Sequence, residues 1–156
     1  MFELLNKQHD KASFDCGNPI INHYLQHMAS QHAKKGIAQT HVLADGKVIK
    51  AFYTLSNLHL DSREQRIKGY PNLIPAILIG RMGVSVDYQG QGLSKKLIAH
   101  ALVKIRHLAV QTGIGFVVID AKTDELVAYY ERLGFKKTDN PYRLILAVAK
   151  LQHSQV

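Results

Sequence analysis

Residues 89–94, Gln-Gly-Gln-Gly-Leu-Ser, are the residues most suited to hold a phosphate. An apolar run, Ala76-Ile77-Leu78-Ile79-Gly80-Arg81-Met82-Gly83-Val84-Ser85-Val86, precedes them. After them, Leu93, Leu97, Ile98, Ala101, Leu102, Ile105, Leu108 and Ala109 recur at helical spacing. The start of a helix carries unpaired backbone N–H groups and the positive end of the helix dipole. Glycines just before it let an anion approach those donors closely. A strand, a glycine loop and a helix in this order form a pyrophosphate cradle. A Walker A loop is excluded, because Gly-x-x-x-x-Gly-Lys-Ser/Thr does not occur. The dinucleotide fingerprint fails at its third glycine, where Lys95 stands.

Other reactive side chains carry less. His23 and His27 are four residues apart with His32 nearby, but a metal needs three or four convergent ligands, and no Cys or carboxylate accompanies them. They read as polar-face histidines, and no metal site is expected. Cys16 with His9 could be a nucleophile and base, but a buried Cys before a glycine turn is the ordinary reading.

The elements that must position the cradle follow from periodicity and turn chemistry. Ile20, Ile21, Tyr24, Leu25 and Met28 mark one face of a helix after the turn Cys16-Gly17-Asn18-Pro19. Strands near 39–44 and 48–56 join at Asp45-Gly46, a hairpin signal. Residues 57–75 read as a polar connection. The apolar strand, the glycine loop and the long helix come next, then a short buried strand, Phe116-Val117-Val118-Ile119-Asp120. Thr123 is the expected N-cap of a further helix, with Asp124 and Glu125 in its first turn and Gly134 at its end. Leu126, Tyr129, Tyr130 and Leu133 lie on it; periodicity alone packs Tyr130 on the helix face alongside Leu126 and Leu133, and Tyr129 reads as core. A last strand pair, near 135–138 and 143–149, is joined through Asp139-Asn140-Pro141. This order implies an α/β fold, a mixed sheet with helices on both faces.

The length of 156 residues suits one domain, residues 1–156. No stretch approaches the roughly 18 apolar residues of a membrane span. Met1–Asn6 has neither the basic start nor the apolar core of a secretory signal, and the lone Cys16 suits a reducing compartment, so a cytoplasmic location is expected. Twenty Lys and Arg against twelve Asp and Glu give a formal charge of +8, which favours phosphate-bearing partners. The excess is distributed: Lys34-Lys35, Arg63, Arg66 and Lys68, Lys95-Lys96, Lys136-Lys137.

The glycine loop resembles Gln/Arg-x-x-Gly-x-Gly/Ala, the acetyl-coenzyme A loop of the GCN5-related N-acetyltransferases (GNAT), with Gln89 and Gly92 in place and Ser94 at the last small position. Tyr129-Tyr130-Glu131-Arg132-Leu133-Gly134-Phe135 is similar to that family's Phe-Tyr-Glu-x-x-Gly-Phe ending. Four further segments resemble the acetyltransferase toxins of type II toxin–antitoxin pairs. Phe14-Asp15-Cys16-Gly17 with Ile21-Asn22-His23-Tyr24-Leu25 is similar to Phe-x-Cys-Gly followed by Leu-Asp-x-Tyr/Phe-Leu. Phe52-Tyr53-Thr54-Leu55-Ser56, Ile79-Gly80-Arg81-Met82-Gly83-Val84 and Ile119-Asp120-Ala121-Lys122 match the others. The departures are Ile21 for leucine, Asn22 for aspartate, Ala51 and Ser94 for glycine, and Gly83 for alanine.

The resemblance implies the GNAT fold, a mostly antiparallel sheet whose central strands splay to admit the pantetheine arm. It implies an enzyme that transfers acetyl from acetyl-CoA to the α-amino group of aminoacyl-tRNA and so blocks translation. A ribbon-helix-helix antitoxin, and pairing as a homodimer, are implied with it. Gln89, Gly90, Gln91, Gly92, Leu93 and Ser94 would offer N–H groups to the pyrophosphate. Lys95 would reach a phosphate or stay solvated. The backbone of Met82 and Val84 would pair with the pantetheine and polarise the carbonyl. Tyr130 becomes the general acid that protonates the departing sulfur. Lys34, Lys35, Arg63, Arg66 and Lys68 are candidates for RNA phosphates. Arg81 has three open readings: facing solvent, pairing with Asp87, or contacting the tRNA acceptor end. Two other functions fit the same residues: an acetyltransferase of a small amine or protein amine, and a catalytically silent partner of a DNA-binding repressor.

Overall fold

The computed structural model describes residues 1–152. The elements run β1 (Phe2–Leu4), α1 (Pro19–His23), a π-helical turn (Tyr24–Met28), α2 (Ala29–Lys34), β2 (Gln39–Asp45), β3 (Val48–Asp61) and β4 (Leu73–Val84). A 3-10 turn (Val86–Tyr88) leads to α3 (Leu93–Ala109), followed by β5 (Phe116–Asp120), α4 (Asp124–Arg132), β6 (Lys136–Lys137), β7 (Arg143–Ala147) and α5 (Val148–Gln152). The seven strands take the order β1-β2-β3-β4-β5-β7-β6. β4 and β5 pair in parallel, Ala76–Ile79 against Phe116–Ile119, while β1–β2, β2–β3, β5–β7 and β6–β7 are antiparallel. The mixed, mostly antiparallel α/β sheet read from the sequence is the one observed.

Contacts divide the chain into two units, and β3, β4 and α3 run through both. One unit is Met1–Ser56 with Gly80–Ala101. Its core joins Phe14, Ile21, Tyr24, Leu25 and Ala29 to Val42, Ala44, Ile49 and Phe52. Side chains alternate across a strand. Val42 and Phe52 therefore face α1 and α2, while His41 and Tyr53 face the other way, where the Tyr53 hydroxyl meets His100 Nδ1 of α3 at 2.7 Å. In this unit helices cover both faces of the sheet, as the sequence implied. Asn18 caps α1, its side chain accepting from the backbone N–H of Ile20 and Ile21. Ile20 is 77% exposed, outside the apolar face expected for it. The π-helical turn widens the helix by one residue just after it, so one 3.6-residue face does not continue through the whole segment.

The other unit is Asn57–Ile79 with the chain from Leu102 onward. Leu60, Ile74, Ala76, Phe116, Val118 and Ile145 form its core. Here the expected polar connection 57–75 is corrected. β3 continues to Asp61 and β4 begins at Leu73, which shortens the connection to 62–72. Asn57 and His59 are exposed while Leu58 and Leu60 turn inward, a two-residue alternation that the surrounding polar residues hid. β1 was not expected; three residues give too little pattern, and it forms by pairing with Leu43, Val42 and His41 of β2. The last strand stops at Ala147 and α5 follows, not a strand to 149.

Candidate active site

The glycine loop folds as its composition requires. Gly90 and Gly92 have φ of 80° and 76°, a region that side-chain-bearing residues avoid. A Cβ built on either would meet nothing within 4 Å, so the space in front of both is open. Leu93 begins α3 and is buried, which anchors the loop. Gln89, Gly90, Gln91, Gly92, Ser94 and Lys95 are exposed beside the unpaired N–H groups of the helix start. This combination of open space, donors and positive dipole fits a diphosphate. Ser94 points outward, so its departure from glycine blocks nothing.

Met82 and Val84 are half-buried on β4, in the unit that holds the glycine loop. The Val84 carbonyl accepts from Gln89 Nε2 at 2.9 Å, so one acceptor position there is already used by the protein. Gly80 is glycine for a local reason, since a Cβ would lie 2.6 Å from Thr54 Oγ1. Arg81 is exposed on β4, which agrees with its solvent-facing reading. Its guanidinium lies 4.1 Å from the centre of the Tyr24 ring, a cation–π contact, and no ion pair to Asp87 forms among the described residues. Tyr24 is buried and its hydroxyl meets His32 Nδ1 at 3.1 Å. Burial pushes the Tyr24 phenol up, while the Arg81 cation and nearby Thr40 oppose that shift.

Tyr130 belongs to the other unit, on α4. Thr123 caps α4 as expected, its hydroxyl accepting from Leu126 N–H at 3.1 Å, and Gly134 follows with φ of 105°. The Tyr130 ring is 2% exposed and sits 6.0 Å from the Phe135 ring. Burial, with Tyr129 adding to it, raises its phenol to about 12. It is therefore protonated at every physiological pH, the state a proton donor needs. Tyr129 is only half-buried and Leu133 is 41% exposed, so the core face of α4 is Val127 and Tyr130, not the set expected. Nine residues give two and a half turns, too few for the stripe to be unambiguous.

The basic candidates fall on both units. Lys34 and Lys35 are exposed where α2 ends. In the other unit Arg66 and Lys68 are exposed in the 62–72 connection, but Arg63 is held by Asp61, at 3.3 and 3.4 Å. His23 and His27 have rings 4.8 Å apart, and no group of three metal-binding side chains exists among the described residues. Cys16 is half-buried, not buried, and His9 is turned to Glu3 and the Asn6 N–H, so the two do not form a dyad. Sequence reasoning missed Asp15 and Asn22 as working side chains. The Asn22 Oδ1 accepts from Cys16 N–H and its Nδ2 donates to Asp15, both at 2.9 Å. The Phe-x-Cys-Gly similarity was a signal for them without a role.

The fold and the strand–glycine loop–helix site define an α/β protein built to hold a diphosphate-bearing carrier. The chain belongs to the GNAT acetyltransferase family, whose acetyltransferase (GNAT) domain model matches residues 26–144. A probable toxin TacT of Sinorhizobium fredii is 28% identical over 160 residues, covering 93% of this chain and 88% of that one. A tRNA-acetylating toxin of Mycobacterium tuberculosis is 29% identical over 142 residues, covering 88% and 85%. Among solved structures, AtaT complexed with acetyl-methionyl-tRNAfMet has a TM-score of 0.87 at 22% identity, covering 98% of this chain and 97% of that one. A tyrosine-to-phenylalanine mutant of AtaT, bound to the C-terminus of the antitoxin AtaR and acetyl-CoA, has a TM-score of 0.82 at 23% identity, covering 98% and 96%. At those identities the structural likeness speaks for the fold.

Proposed function

We propose that this protein is a single-domain, acetyl-CoA-dependent N-acetyltransferase that acetylates the α-amino group of aminoacyl-tRNA and acts as a toxin by blocking translation. The observation that carries the cofactor is the open cradle: two glycines at positive φ with empty space before them, at the start of α3. The similarity of most of the chain to a tRNA-acetylating toxin and to a probable toxin TacT supports the acceptor. The +8 charge suits an RNA substrate.

Acetyl-CoA, when bound, supplies the thioester carbon that the amine attacks. The backbone of Gln89, Gly90, Gln91, Gly92, Leu93 and Ser94 takes the pyrophosphate, with Lys95 beside it. Met82 and Val84 lie along the pantetheine, and one of their N–H groups polarises the carbonyl. The acceptor needs no strong base. A free α-amino group titrates near 7.7–8.0, and an adjacent ester lowers that further, so much of it is neutral already. As the new N–C bond forms and the C–S bond breaks, the amine proton leaves to solvent and Tyr130 gives its proton to sulfur. Lys34, Lys35, Arg63, Arg66 and Lys68 contact RNA phosphates, and Arg81, resting on Tyr24, faces the acceptor end.

A ribbon-helix-helix antitoxin as inhibitor, a homodimer as working form and a cytoplasmic location complete the proposal. Purified protein incubated with acetyl-CoA and a pool of charged tRNA should yield N-acetylated aminoacyl-tRNA by mass spectrometry. Acetyl-CoA turnover on small or protein amines with charged tRNA untouched would replace this substrate with another. Induced expression should arrest growth, and an antitoxin gene beside it should relieve the arrest.

A further inference from the structure

Gly83 lies between Met82 and Val84, and a web of contacts ties that short segment to the turn before α1. The Gln89 side-chain amide nitrogen donates to the Cys16 carbonyl at 3.0 Å and to the Val84 carbonyl at 2.9 Å. Both partners are carbonyls, which only accept, so the two N–H bonds of one amide group are both committed. Val86 N–H donates to the Asp15 carbonyl at 2.8 Å, which closes the turn onto the chain just after β4. The turn is itself fixed: Asp15 Oδ1 accepts from Gly17 N–H and Asn22 Nδ2, and Asn22 Oδ1 accepts from Cys16 N–H, each at 2.9 Å. An aspartate at 22 could accept from Cys16 but not donate to Asp15, so asparagine is the residue this turn needs.

A steric contact runs beside these bonds. A Cβ on Gly83 would come 3.0 Å from Ile21 Cγ2 and 3.2 Å from Cys16 Sγ. The toxins this chain resembles carry leucine and alanine at positions 21 and 83. Here the branch of Ile21 crowds the place an alanine methyl at position 83 would take.

We propose that Gln89 is a positioning residue for acetyl-CoA: its amide clamps Val84 to the Asp15–Gly17 turn, and Ile21 against Gly83 packs on the same strand. The proposal rests on reading Met82, Val84 and residues 89–95 as the acetyl-CoA site. It also gives a reason why the loop pattern admits Gln or Arg at its first position. Both carry several N–H donors at the end of a flexible stem, whereas glutamate has glutamine's length and no donor.

The test is acetyl-CoA affinity by calorimetry, with KM and kcat measured separately on folded variants. Gln89→Glu should raise Kd and KM for acetyl-CoA about tenfold, as expected when two hydrogen bonds to carbonyls are lost. Gln89→Arg should restore the affinity. Wild-type affinity in Gln89→Glu, or equal weakness in Gln89→Arg, overturns the clamp. Gly92→Glu separates this from the cradle itself: lost binding there with unchanged binding in Gln89→Glu leaves the cradle standing and removes the clamp, while normal binding in Gly92→Glu removes the cradle. A second cycle does not depend on Gln89. Gly83→Ala should weaken acetyl-CoA about fivefold through overpacking, and adding Ile21→Leu should recover most of it. Purely additive effects would overturn the positional coupling.

Discussion

Tyr130 has a titration that separates its two possible duties, packing and proton donation. Its phenol is raised to about 12 by burial, above the ordinary value near 10. The folded protein thus holds the proton between those values while the unfolded chain has lost it. Stability from this group is complete below about pH 10 and declines as pH rises towards 12. Tyr130→Phe should therefore flatten part of the alkaline loss of stability, read as Tm against pH from 9 to 12. A packing role predicts only that change. A proton donor predicts in addition that kcat falls by about a hundredfold or more, with acetyl-CoA affinity retained. Single-turnover rates equal to wild type would remove Tyr130 from the chemistry. The phenol of Tyr24 is also raised by burial, but the Arg81 cation beside it opposes the shift. Arg81→Gln should accordingly leave acetyl-CoA binding intact and weaken charged-tRNA binding, measured by filter retention. Equal tRNA affinity would confine Arg81 to its contact with Tyr24.

At the scale of elements, the glycine loop and α3 were legible because their signals are local. Positive φ demands glycine, and a seventeen-residue helix gives its apolar stripe nearly five turns to declare itself. The cap on α4 was legible for the same reason, since Thr123 acts on a residue three positions away. What escaped depends on partners far along the chain. β1 exists only through pairing with β2, and the ends of β3 and β4 were hidden in a polar stretch whose alternation is fixed by burial against Ile74 and Phe116. Gln89 was legible as part of a loop, yet its side chain works 73 residues away on Cys16. α4 offers a direct measure of a local signal: Thr123→Ala should cost about 1 kcal/mol of stability, read as a lower urea midpoint at constant slope. No change would mean that the cap is dispensable and that α4 is held by Val127 and Tyr130 alone.

For the whole molecule, the charge of +8 is carried by both units, so an RNA partner would be gripped at several places. Each phosphate neutralised by a protein cation releases counterions, and log K against log salt steepens by about 0.7 per contact on single-stranded RNA and more on duplex. The cations are not equivalent. Arg63 already spends its charge on Asp61, and to take a phosphate it must first surrender that partner. Arg66 and Lys68 are exposed in the same connection, and no ion pair to either is found among the described residues. Neutralising Arg66 or Lys68 to Gln should therefore lower the salt slope of charged-tRNA binding by close to one contact each, and Arg63→Gln should lower it by less. Lys34→Gln and Lys35→Gln in the other unit should act like Arg66. The slopes are read from affinities between 50 and about 200 mM salt, the range over which such contacts change K most visibly. If all five substitutions left the slope of wild type, the excess charge would serve solubility and not RNA. If only Lys34 and Lys35 mattered, the 62–72 connection would lie outside the tRNA path.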